Sequence, residues 1–146
     1  MLGVIKNNSS SHRFIIVHAG GALGFVEGVK LIFKARSESG DYHGQMNADN
    51  FERWIQEKVL PNIPDNTVIV MDNAPCHSVQ INKPPTKYAT KTAMLNWLIK
   101  NNIPCNNQMR RYDLHELIEK NKPQNKIFKI DKIIKAHGHT TLRLPT

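Results

Sequence analysis

Asp72 is the residue whose surroundings promise the most chemistry. Four apolar residues, Val68-Ile69-Val70-Met71, run directly into it, and Asn73-Ala74-Pro75-Cys76-His77-Ser78 follow. A strand that ends on a carboxylate delivers that side chain to the crevice where open α/β sheets bind their ligands. There a carboxylate is a hard oxygen ligand for Mg2+ or Mn2+. A pair of such ions activates a water or a 3′-hydroxyl and stabilises the leaving oxygen in phosphoryl transfer. Taken alone, an Asp after a strand is weak evidence, since a helix cap or turn former explains most instances.

The neighbours of Asp72 divide into supporting roles and exclusions. His77 is suited to hydrogen-bond a phosphate or to orient the loop, and Asn73 to position Asp72 or cap the following turn. A Cys76–His77 nucleophilic pair fails, because adjacent side chains diverge and no acid follows to orient the histidine. Neither Cys76 with His77 nor His137 with His139 has the spacing and partners of a zinc site. An aspartate-based phosphatase calls for a second acid two residues on, where this chain has Ala74.

The elements that must position Asp72 can be read from periodicity. Phe14 to His18 is an apolar run, and Val29 to Ala35 alternates with Lys30 and Lys34, so the two form strands with Gly20, Gly21 and Gly24 between them. A hairpin joins them most economically. Asn47 is a good helix N-cap; Phe51, Trp54, Ile55 and Val59 then follow at helical spacing to a stop near Pro61, as a core-facing stripe. Residues 67–72 form a strand whose continuous apolar run marks it as central and buried on both faces. Helices follow over about 88–100, 112–120 and 127–137, and "HTTLRLPT" closes as a short strand. Strands mixed with helices in this order give an α/β plan. Residues 1–12 are polar and read as a loose start to a single domain over 13–146.

Composition supplies the partner class. Twenty Lys and Arg against twelve Asp and Glu give a net charge of +8. That balance favours a polyanion, with nucleic acid foremost through counterion release. Lys83, Lys87, Lys91, Arg110 and Arg111 are candidate phosphate contacts. The apolar runs are far too short to cross a bilayer, so no membrane role is expected. The N-terminus turns polar within six residues, unlike a secretory signal. Two cysteines make neither a disulfide framework nor a zinc quartet and read as free thiols. No oligomeric state is set by the sequence.

"VIVMDNAPCHS" resembles the second acidic strand of the mariner-like DDE transposases, in which Asp-Asn-Ala-x-x-His follows an apolar strand. "IIVHAGGALGFV" is similar to the glycine-containing strand pair of that superfamily. "SGDYHGQMNADNFERWIQEKVLPNIPDN" is similar to the loop and helix that lead into the Asp, and "HGHTTLRLPT" to the strand and proline after it. The resemblance runs from about residue 13 onward. It implies a ribonuclease-H-like fold, a mixed sheet flanked by helices, with Mg2+- or Mn2+-dependent DNA cleavage and strand transfer in the complete family, acting on transposon ends in the nucleus. It carries over one catalytic metal ligand, Asp72.

The departures from the pattern are specific. The first catalytic Asp of the family lies on an opening strand, yet nothing upstream of Glu27 is acidic here. The third lies beyond the "RLP" strand, and no acid follows Asp131. Asp41, Asp49 and Asp65 match a loop, a helix start and a turn. The expectation is therefore a transposase catalytic domain truncated at both ends, lacking the first strand and the C-terminal helix, and catalytically incompetent alone. No helix-turn-helix module precedes it, so sequence-specific targeting is not expected. The alternative is a non-catalytic, basic nucleic-acid-binding module derived from such a domain.

Overall fold

A computed structural model describes residues 13–36 and 44–145. Residues 1–12, Asp41 and Thr146 thus lie outside the described residues. The chain is mixed α/β. Strand β1 (Phe14–Val17) pairs antiparallel with β4 (Leu31–Lys34), Phe14 opposite Lys34 and Val17 opposite Leu31. Between them β2 (Gly20–Gly21) and β3 (Gly24–Phe25) form an inner rung, so the segment is one long hairpin, as its alternation predicts. Gly24 turns it with φ +105°, a conformation that side chains with a Cβ rarely adopt.

Helix α1 (Ala48–Trp54) begins at Asn47, whose side-chain oxygen accepts the Asn50 amide at 2.8 Å. It runs into a π-helical turn over Ile55–Val59 and a 3-10 turn over Leu60–Asn62, where Pro61 ends it. The widened turn lets Phe51, Trp54, Ile55, Val59 and Leu60 all face inward. Trp54 also donates its indole N–H to the Val29 carbonyl at 2.7 Å, which docks the helix against the hairpin.

Strand β5 (Val68–Met71) pairs parallel with β6 (Thr140–Arg143), in register from Val68 opposite Thr140 to Met71 opposite Arg143. Here the structure corrects the sequence reading. Met71 is buried and Ile69 half-buried, but Val68 and Val70 are each 55% exposed, so β5 is buried on one face rather than two. Its only strand partner among the described residues is β6. The β1–β4 and β5–β6 pairs lay their inner faces on one apolar cluster. Leu31, Phe33 and Met71 meet Phe51, Trp54, Ile55 and Val59 there, together with Ile130 and Ile134 of α4 (Lys129–Ala136). Yet the two pairs are not hydrogen-bonded to each other.

Helices α2 (Lys91–Lys100) and α3 (Arg111–Asn121) bury a second, separate cluster: Met94, Trp97, Leu98, Leu114 and Ile118. Helix α2 starts three residues later than its apolar pattern suggests, because the Thr90 hydroxyl caps it by accepting the Ala93 amide at 3.2 Å. The excursion is pinched at its base. Ile81 donates its amide to the Ile127 carbonyl at 2.7 Å, and Lys129 to the Val79 carbonyl at 2.9 Å. The helical pair therefore leaves the main body and returns to it at one place. No helix among the described residues is long and apolar enough to cross a membrane.

Candidate functional site around Asp72

Asp72 is the first residue past β5, and its side chain is 68% exposed. The loop after it folds back immediately. The Ala74 amide donates to Asp72 Oδ1 at 3.3 Å, an Asx turn of the kind Asp favours after a strand. Pro75–His77 make one 3-10 turn, which brings the His77 ring under the carboxylate. His77 Nε2 lies 2.7 Å from both Asp72 Oδ1 and the Asp72 carbonyl oxygen. Its Nδ1 is 3.5 Å from Cys76 Sγ. The Ala74 amide also donates toward Nε2, at 3.1 Å, so this nitrogen sits among the Asp72 carboxylate, the Asp72 carbonyl and the Ala74 N–H.

His77 is only 7% exposed, and its ring packs against Phe51 of α1 with centroids 4.6 Å apart. A buried ring thus holds an exposed carboxylate in place. Asn73 acts at longer range: its side-chain amide donates to the Leu144 carbonyl at 2.7 Å and ties the loop to the exit of β6.

Arg143 is the site residue that sequence reasoning passed over. From β6 its guanidinium donates to the His77 carbonyl at 2.7 Å and to the Ser78 hydroxyl at 3.3 Å. It clasps Asp131 of α4 through both carboxylate oxygens, at 2.8 and 3.1 Å, and lies 4.0 Å above the Phe128 ring. A planar fork that pairs bidentately and stacks is what arginine supplies and lysine cannot. The signal available in sequence was the short distance between Asp131 and a basic strand residue, which is weak without the fold.

Burial, reinforced by the nearby Asp72 carboxylate, pushes the Cys76 thiol above its ordinary pKa against backbone hydrogen bonds that pull the other way. Cys76 is thus a thiol rather than a thiolate at neutral pH. Its alkylation by iodoacetamide near about pH 8 should be on the order of tenfold slower in the folded chain than in urea. Peptide mapping by mass spectrometry reads this directly, and equal rates in the two states would refute it.

The remaining acids are placed elsewhere. Asp49 stands in the first turn of α1 and Asp65 in the turn before β5. Glu52 pairs with Lys129 at 2.7 Å, and Asp131 is held by Arg143. His139 is buried and accepts the Thr67 amide at 3.3 Å; the exposed His137 bonds the Ile133 carbonyl through Nδ1 at 2.8 Å. Among the described residues no group of three His, Cys, Asp or Glu could hold a metal ion. One exposed carboxylate fits a single ligand of a divalent cation, not a two-metal site, because hard cations require six or more oxygens.

The five candidate cations separate into two places. Lys83 lines a groove of about 690 Å3 with Asn73, Ser78, Gln80, Lys126 and Phe128, beside the Asp72 loop. Lys87, Lys91, Arg110 and Arg111 gather instead at the start of α2 and α3. Lys126, absent from the sequence candidates, shares the groove with Lys83. Compared with protein-family models, curated proteins and solved structures, the chain gives no significant match.

Proposed function

We propose that the chain is part of the catalytic domain of a mariner-like DDE transposase, with a ribonuclease-H-like fold in which Asp72 is one metal-ligating acid. The observation that carries this reading is an exposed carboxylate at the C-terminal end of a parallel strand, on a loop pinned from beneath by the buried His77 and the half-buried Arg143. Hydrogen-bonded support beneath an exposed carboxylate fixes the direction in which its oxygens meet a metal ion. Two further features support it. The Lys83–Lys126 groove beside the loop suits a phosphate backbone. Among the described residues the antiparallel and parallel strand pairs share one core without being joined, an arrangement that one strand between them would complete as a mixed sheet.

One carboxylate leaves a pair of close cations short of ligands and their repulsion uncompensated. The chain alone is therefore proposed to be catalytically incompetent. Mn2+ added to isotope-labelled protein is expected to broaden the amide resonances of Asp72, Asn73 and Ala74, with an affinity of about millimolar order, and Asp72→Asn should abolish the effect. Broadening that survives Asp72→Asn would refute the ligand role. In the same preparations supercoiled DNA should stay intact; metal-dependent nicking that disappears in Asp72→Ala would refute incompetence.

A second reading, a non-catalytic nucleic-acid-binding module, is favoured by one observation. The four cations at the start of α2 and α3 stand apart from the Asp72 loop, on the second apolar cluster.

A further inference from the structure

The forty residues 73–112 contain six Lys and Arg and no Asp or Glu. The fold concentrates this imbalance. The Arg111 guanidinium donates to the Lys87 carbonyl at 3.0 Å, and Lys91 Nζ donates to the Asn107 carbonyl, which brings the beginnings of α2 and α3 side by side. Lys87, Arg110 and Arg111 are exposed, and among the described residues none of these three nor Lys91 has an ion-pair partner. The nearest carboxylate in sequence, Asp113, is half-buried and caps the start of α3 by accepting the Arg110 amide at 3.0 Å.

Two aromatic rings stand among these charges. Tyr88, just before α2, is 80% exposed, and Tyr112, in the first turn of α3, is 71% exposed. Lys87 Nζ lies 5.0 Å from the centre of the Tyr88 ring. Neither tyrosine belongs to the buried cluster of Met94, Trp97, Leu98, Leu114 and Ile118 or to the half-buried residues packed against it; both stand in water beside the cations. Cations that track a phosphate backbone, interleaved with aromatic faces on which unpaired bases stack, form the surface that single strands require. A duplex keeps its bases stacked and would use the cations alone.

We infer that this end of the α2–α3 pair binds single-stranded nucleic acid, with phosphates on Lys87, Arg110 and Arg111 and bases on Tyr88 and Tyr112. The inference rests on the nucleic-acid reading of the basic surface and not on Asp72 as a metal ligand. The pinched base of the excursion and its own apolar cluster give the surface a rigid footing.

The test is fluorescence anisotropy with labelled oligothymidylate of about 12 nucleotides and a duplex of equal length, in EDTA, over roughly 50 to 200 mM salt. Oligothymidylate should bind more tightly than duplex, with a salt slope of about −2 for three phosphates. Tyr88→Ala and Tyr112→Ala should each weaken single-strand binding by roughly 5- to 100-fold and leave duplex binding unchanged, while Tyr→Phe at either position retains it. Arg110→Ala and Arg111→Ala should weaken both ligands and lower the slope by about 0.7 each; unchanged far-UV circular dichroism shows that the variants fold. Tyrosine variants without effect, or equal binding of duplex and single strand, would overturn the proposal. So would loss of binding in Lys83→Ala alone, which would move the site to the other groove. Absence of binding to either oligonucleotide would remove the nucleic-acid reading with it.

Discussion

Replacing Trp54 with alanine should cost about 4 kcal/mol of folding stability, near the upper end of the range for large-to-small changes in a packed core. Two losses combine. Trp54 is 4% exposed and packs between Phe51, whose ring centre is 5.5 Å away, and the hairpin, so truncation opens a cavity where α1 meets the sheet. It also removes the indole donor from the Val29 carbonyl, in a residue that is fully buried. A buried carbonyl without a partner adds a penalty of about 1–3 kcal/mol unless water enters. Trp54→Phe should recover much of the packing and none of the hydrogen bond, so it should fall between the two. Urea unfolding measures the series. A midpoint for Trp54→Ala within experimental error of the unsubstituted chain would show that α1 does not depend on this contact.

Arg143→Ala is expected to cost about 3 kcal/mol through a different mechanism. The side chain is 15% exposed, and its guanidinium joins three elements: β6, which carries it; α4, through Asp131; and the loop after β5, through the His77 carbonyl. Its removal leaves the Asp131 carboxylate, 26% exposed, without its partner, and frees the loop beneath Asp72. Because Asp131 keeps some contact with water, the cost should stay below that of a fully buried broken pair. Arg143→Lys restores charge but neither the bidentate geometry nor the stacking on Phe128, so it should recover less than half. A double-mutant cycle with Asp131→Asn separates the ion pair from the loop anchoring. Strict additivity would show that the Arg143–Asp131 contact contributes nothing.

Which parts of this architecture can be read in sequence follows from how local their causes are. The β1–β4 hairpin is legible because the apolar run from Val29 to Ala35 alternates with Lys30 and Lys34, and alternation is a property of the strand itself. Helix α1 is legible because Asn47 caps it, Phe51, Trp54, Ile55 and Val59 share a face, and Pro61 stops it. The environment of β5 is not. An apolar run such as Val68–Met71 records what a strand tolerates on its two faces, whereas burial depends on which elements arrive there, and Val68 and Val70 meet none. Asp72 is conspicuous because it interrupts that run. The Arg143 clasp is invisible because its partners Asp131 and His77 are 12 and 66 residues away. The five candidate cations could be named from charge alone, but their division between two surfaces could not, since it arises from the return of the chain at Gln80 and Phe128.

The outward faces of the two strand pairs have a consequence for how the molecule behaves as a particle. Phe14, Ile16, Ile32, Val68, Val70 and Leu142 stand exposed on strands that each retain an unpaired edge among the described residues. Such a surface is adhesive toward copies of itself. The net charge of +8 opposes that contact by keeping molecules apart. Colloidal stability is then a balance between a short-range attraction and a repulsion whose reach shrinks from about 10 Å at 0.1 M salt to about 3 Å at 1 M. The chain should be most soluble in dilute buffer and begin to associate as salt rises, a salting-out driven by the sheet and restrained by the same positive charges that favour a polyanionic partner.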